Sequence, residues 1–157
     1  MATEQEKMMN LTRVIGMLAL GQQIALWNMV GESTYTLVAP IGEEMLKMFE
    51  KGMGLQLAGE TPEAVLNELG RLFMDELGFV TEWNVERKDN CIFVTRKSVP
   101  GARDFILQLK AAGVEKNYGA PDFLCSMAAL KRMGVKARGD VMDSTDGLTS
   151  TYTIRLL

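Results

Sequence analysis

The chain has 157 residues, 47% of them apolar and 24% charged, with a net charge of −3. That is enough for one domain spanning residues 1–157 and burying about two-thirds of its unfolded surface, so folding requires neither a disulfide nor a metal, and neither disorder nor a fibrous repeat is indicated. The acidic balance argues against a nucleic-acid partner, which would need an excess of Lys and Arg, and the run Lys131, Arg132, Lys136 and Arg138 reads as a solvated basic face.

Residues 1–10 are polar and read as a flexible lead-in, although Thr3 with Glu4 and Glu6 carries the chemistry of a helix start. From Leu11 to Val30 the pattern is helical and apolar on two faces. Leu11, Val14, Ile15, Leu18, Ala25 and Met29 form one stripe; Met17, Leu20, Ile24 and Trp27 form another. Such a helix is expected to be core or dimer interface. A membrane span is not expected, because the apolar run is short and contains Gln22, Gln23 and Asn28. Pro40 suits the first turn of a second helix running to about Lys51, with Ile41, Met45, Leu46 and Phe49 inward and Gly52 as its stop. Thr61-Pro62-Glu63 is a strong start for a third, in which Val65, Leu66, Leu69, Leu72, Phe73 and Leu77 keep helical spacing up to Gly78.

Gly78–Ser98 then reads as a β-hairpin. Phe79, Thr81, Trp83 and Val85 alternate with Val80, Glu82, Asn84 and Glu86; Lys88-Asp89-Asn90 supplies the turn, and Cys91–Thr95 begins the return strand. Phe93 shares a strand face with Cys91 and Thr95, opposite Ile92 and Val94, and the pattern leaves open which face looks inward. Pro100 opens a fourth helix ending at Gly113. Pro121-Asp122 opens a fifth, closed by Gly134, on which Phe123, Met127 and Leu130 share one face. Val135–Met142 and Ser150–Leu157 read as two further strands joined by a turn at Asp143–Gly147. The fold class is therefore α+β: N-terminal helices, then two antiparallel hairpins separated by helices, forming a sheet with helices packed on one face.

Four stretches carry a family resemblance over residues 40–157. They are Leu69-Gly70-Arg71-Leu72-Phe73 before Leu77-Gly78-Phe79; the hairpin ending Ile92-Phe93-Val94; the helix Phe123-Leu124-Cys125-Ser126-Met127-Ala128-Ala129; and Asp146-Gly147 before Tyr152-Thr153-Ile154. In this order they resemble the hydrocarbon-binding domain of the vinyl-reductase type, a relative of nitric-oxide-sensing ligand-binding domains and of TRAPP trafficking subunits. The resemblance implies a non-catalytic module, working as a homodimer, that holds a small apolar ligand; Trp83 and Phe93 on adjacent strands, with Cys125 and Met127 of the fifth helix, are the candidate ligand-binding residues. Further cysteines that the family often carries near the last strand are replaced here by Asp143–Thr151, so only Cys125 carries over.

The chemistry-bearing residues set limits on other readings. With no His in the chain, Ser-His and Cys-His nucleophiles, imidazole-containing zinc and non-haem iron sets and a His-ligated haem are all removed. One thiolate without His does not complete a tetrahedral metal site, no catalytic set is identified and no cofactor is named by the residues. Asp140, Asp143 and Asp146 lack the spacing of a calcium loop, and Glu82 and Glu86 stand about 13 Å apart along a strand, too far for a glycosidase pair. The twelve Met suit an adaptable apolar interior. Two alternatives stand beside the binding module. One is a ligand-free scaffold or assembly subunit dimerising through residues 11–30. The other is a thiol-based redox or metal sensor in which Lys131, Arg132 and the helix dipole lower the pKa of Cys125. Two cysteines with no Cys-x-x-Cys spacing, and no secretory signal before them, point to a reducing, cytoplasmic setting.

Overall fold

Thr3 caps the first helix. Its hydroxyl accepts from the Glu6 amide while the Glu6 carboxylate accepts from the Thr3 amide, a reciprocal cap that starts helix α1, Glu4–Val30. In this computed structural model, which describes residues 2–157, the helix therefore begins seven residues ahead of Leu11, and residues 4–10 of the stretch expected to be a flexible lead-in form its first turns. A 3-10 stretch, Gly31–Leu37, leads into α2, Val38–Met53. The glycine that stops α2 is Gly54, at φ +68°, rather than Gly52. Helix α3, Pro62–Arg71, is capped by the Thr61 hydroxyl on the Ala64 amide and continues through a π-helical turn, Leu72–Glu76.

Strands β1, Val80–Lys88, and β2, Cys91–Ser98, form the first hairpin, with Asp89 at φ +55° in its turn. A 3-10 turn at Pro100–Ala102 enters α4, Arg103–Ala111. Then come α5, Pro121–Arg132, and the second hairpin of β3, Ala137–Asp143, and β4, Thr149–Leu156. All four strands form one antiparallel sheet in the order β1-β2-β4-β3, with the two hairpins joined by β2 and β4 at its centre.

One face of the sheet is covered and one faces water, as antiparallel sheets allow. Ile92, Val94, Tyr152 and Ile154 are buried on the covered face beneath α5, where Phe123, Leu124, Ala128, Ala129 and Leu130 complete the core. Gly42 lets α2 reach α5: a Cβ there would stand 2.0 Å from the Leu124 carbonyl oxygen.

Of the two places expected for the apolar helix, core or dimer interface, the single chain covers α1 little. None of its residues is buried, and Leu11, Val14, Ile15, Met17 and Leu18 are all more than half exposed. It is not core. Within the helical run Glu4–Met53, an 18-residue window of mean hydropathy 1.3 is long and apolar enough, by length and composition, to cross a membrane. The second half of α1 nevertheless docks on the body: Gln23 Nε2 donates to the Gly119 carbonyl at 3.3 Å, and the Trp27 and Tyr118 rings lie 6.3 Å apart.

Candidate ligand-binding cavity

The backbone at the end of α1 creates the site. Gly31, at φ +54°, takes a positive-φ conformation that favours glycine, so the chain leaves α1 there and passes through the 3-10 stretch into α2. Between α1, the start of α2 and the loop ahead of α5 lies a cavity of about 230 Å³. Leu26 and Trp27 wall it from α1, and Leu37, Val38 and Ile41 from the opposite side. Val114, Tyr118 and Leu124 close it from behind. Ile41, expected to point into the core, is 42% exposed at this rim.

The polar groups on the wall are few. Thr34 Oγ1 donates to the Gly31 carbonyl at 2.7 Å. Lys116 Nζ is held by Glu32 at 3.1 Å and Asp140 at 3.2 Å, and the hydrogen bond to Glu32, ahead of that to Asp140, raises its pKa above the ordinary lysine value. Gln22, Gln23 and the Tyr118 phenol complete the set. Behind the cavity an aromatic series continues into the body, with Tyr118 stacked on Phe123 at 6.0 Å and Phe123 tilted on Tyr152 at 5.1 Å.

The four residues expected to bind ligand lie elsewhere and are not brought together. Trp83 sits on the covered face of β1, its ring against Gly70, where a Cβ would come within 2.2 Å, and 5.9 Å from the Phe73 ring. Phe93 lies on the open face of the sheet, because the residues on either side of it, Ile92 and Val94, are the buried ones, and Lys88 Nζ stands 6.0 Å over its ring. Trp83 and Phe93 are thus on opposite faces and do not line one space. Cys125 is fully buried in α5. Met127 is buried on α5 near Gly139, whose missing Cβ makes room for the Met127 sulfur, and it borders a separate groove with Tyr35 and Pro40.

The lowered thiol pKa on which the alternative sensor reading of Cys125 rests is not found here. It is the fifth residue of α5, past the first turn, where the dipole has little effect. Burial, with the Asp122 carboxylate adding to it, pushes its thiol up to about 12. Arg132, itself engaged by Glu43 and Glu50, lowers it as expected but is outweighed by burial. Among the described residues, no group of three or more Cys, Asp or Glu is placed to hold a metal.

A polar network absent from the sequence reading lies beneath the cavity. Asp122, the second residue of α5, is paired with Arg96 of β2 at 2.8 Å and accepts from the Tyr152 hydroxyl of β4, and Arg96 Nε also donates to that hydroxyl oxygen at 2.8 Å. All three are at least 96% buried. Burial first, and the Asp122 charge second, hold the Tyr152 phenol well above its ordinary pKa. The sequence signal was an arginine at an inward strand position, in register with the buried Ile92 and Val94.

No family model matches the chain, and no curated protein matches it. The fold is similar to that of a TRAPP subunit. A trafficking protein particle complex subunit 3 from Naegleria fowleri, described as covalently bound to palmitic acid, superposes with a TM-score of 0.54 at 15% identity, over 92% of this chain and 96% of that one. Two H-NOX structures from K. algicida, both Fe(II) unliganded and one of them a point mutant, give TM-scores of 0.34 and 0.35 at 14% and 15% identity. They cover 91% and 100% of this chain and 63% and 75% of theirs, and are too distant to carry the comparison. In this chain neither cysteine lines the cavity.

Proposed function

We propose that this chain is a non-catalytic binding module of the hydrocarbon-binding type, holding a small apolar molecule without a covalent bond and working as a homodimer. The observation that carries the proposal is the apolar cavity between α1, α2 and the loop ahead of α5. Apolar walls with a few polar groups are what a small-molecule site needs. The palmitic acid of the TRAPP subunit is compatible with such an occupant, while the position of both thiols away from the cavity favours simple burial over a thioester. The residue patterns shared with vinyl-reductase-type domains point the same way, and the two reduced cysteines suit a cytoplasmic setting.

Native mass spectrometry followed by denaturing extraction tests this. A dimer releasing an extractable apolar compound is expected, and Leu26→Gln together with Ile41→Gln should abolish its retention. A chain that takes up no apolar compound, even after exposure to lipid mixtures, overturns it.

A second reading, a ligand-free assembly subunit, is favoured by the uncovered face of α1. Leu11, Val14, Ile15 and Leu18 are at least 55% exposed, and such a patch normally meets another protein. Retained assembly with no bound compound selects it.

A further inference from the structure

From the free face of α1 we infer that the partner of this chain is a second copy whose own α1 runs antiparallel along it, the two-fold axis passing between Ile15 and Leu18; this rests on the chain being a homodimer. Met8, Leu11, Ile15, Leu18, Gln22, Ala25 and Met29 follow one another at alternating steps of three and four residues, the spacing that keeps one seam of a helix turned towards another helix. All seven are exposed, and the five large apolar ones are at least 55% so. Gln23 and Trp27, which dock α1 on the body, lie off this seam, so the fold leaves it open along its length. A 27-residue helix is about 40 Å long and about 11 Å across, so its uncovered half presents on the order of 700 Å². A stable interface takes about 800 Å² from each partner.

Charge favours a partner of the same kind. No Asp, Glu, Lys or Arg stands on the seam between Met8 and Met29, so it offers an oppositely charged surface nothing to pair with, and a two-fold axis sets no charge against its own copy. Side-chain size fixes the direction. In a parallel pair each residue meets its own copy: Met8 would face Met8, Ala25 would face Ala25, and Glu4, one step before Met8 on the seam, would face Glu4. Such helices are pushed apart at one end and gapped at the other. Antiparallel pairing sets Met8 against Ala25 of the partner subunit, Leu11 against Gln22 of the partner subunit and Ile15 against Leu18 of the partner subunit. The bulkiest side chain then faces the smallest, and the two Glu4 carboxylates go to opposite ends. Gln22 belongs both to the seam and to the cavity wall, so this pairing brings Leu11 of the partner subunit to the cavity rim.

Sedimentation and cysteine crosslinking of the full chain test this, in a Cys91→Ser background because Cys125 is buried. Met8→Cys and Ala25→Cys, made singly and together at these exposed positions, are treated with a short bismaleimide. Only the double variant should give a covalent dimer, since like residues of an antiparallel pair stand about 25 Å apart here. Leu11→Cys with Gln22→Cys is a second pair with the same expectation. Crosslinking of a single variant shows a parallel pair and overturns the inference. A dimer in sedimentation that neither double variant crosslinks places the interface elsewhere and overturns it too, while the homodimer stands. If the unaltered chain sediments as a monomer, the homodimer reading falls as well, and flotation of that monomer with phosphatidylcholine vesicles assigns the seam to a membrane.

Discussion

Asp122 shows how one buried side chain organises two strands and a helix. Its carboxylate joins the start of α5 to Arg96 and Tyr152 on the two central strands, with all three groups out of water. Asp122→Asn leaves Arg96 a buried charge without its counter-ion and should cost about 3–5 kcal/mol, read from urea denaturation. Tyr152→Phe removes one donor to Asp122 and should cost about 1–3 kcal/mol. Cys125 gives a prediction with a definite sign in pH. Its thiol is held at about 12 against an ordinary 9.0, so the folded chain keeps a proton that the unfolded chain releases. Stability should therefore fall as pH rises from about 9 towards about 12. Cys125→Ala should make that decline shallower without abolishing it, because the Tyr152 phenol acts in the same direction. An unchanged slope in urea midpoints across this range would refute the assignment. Iodoacetamide should spare Cys125 in the native chain.

Among the elements, the crossing of α2 and α5 depends on a missing side chain. Gly42→Ala places a methyl against the Leu124 backbone, which cannot yield as a flexible side chain does, and should destabilise by roughly 1–3 kcal/mol or more. A thermal melt unchanged within a degree would show that the helices separate freely. Helix α1 makes the opposite case. Its apolar side chains face outward, so Ile15→Glu and Leu18→Glu should leave the fold intact while converting a dimer to a monomer in sedimentation experiments. Alternation and capping made most of these elements legible: Thr61-Pro62-Glu63 marked α3, and the two-residue period of Ile92 and Val94 marked β2. Composition could not tell whether an apolar helix is covered by its own chain. That depends on where the turn at Gly31 sends α2, and the same turn creates the cavity. Trp83 and Phe93 looked like neighbours because their strands pair, but strand pairing does not decide which face each side chain takes. Gln23 read as a polar interruption of an apolar run and proved to be its contact with the loop at Gly119.

At the scale of the molecule, the sheet, α2, α3 and α5 form the body, and α1 is a rod attached to it at one end. The attached end walls the cavity through Gln23, Leu26 and Trp27, and the far end carries the uncovered apolar residues. A compound retained in the cavity should raise the melting temperature of the unaltered chain in proportion to the logarithm of its concentration, and this should vanish in the Leu26→Gln, Ile41→Gln double variant. At the usual helical rise, Gln23 and Thr3 are separated by about 30 Å along the axis of α1. That length makes the far end sensitive to the angle at which α1 meets the cavity wall. A tilt of about 10° there carries the opposite end through about 5 Å, roughly one turn of helix. A bound molecule that tilted α1 beside Gln23 would swing the distant apolar face by that distance.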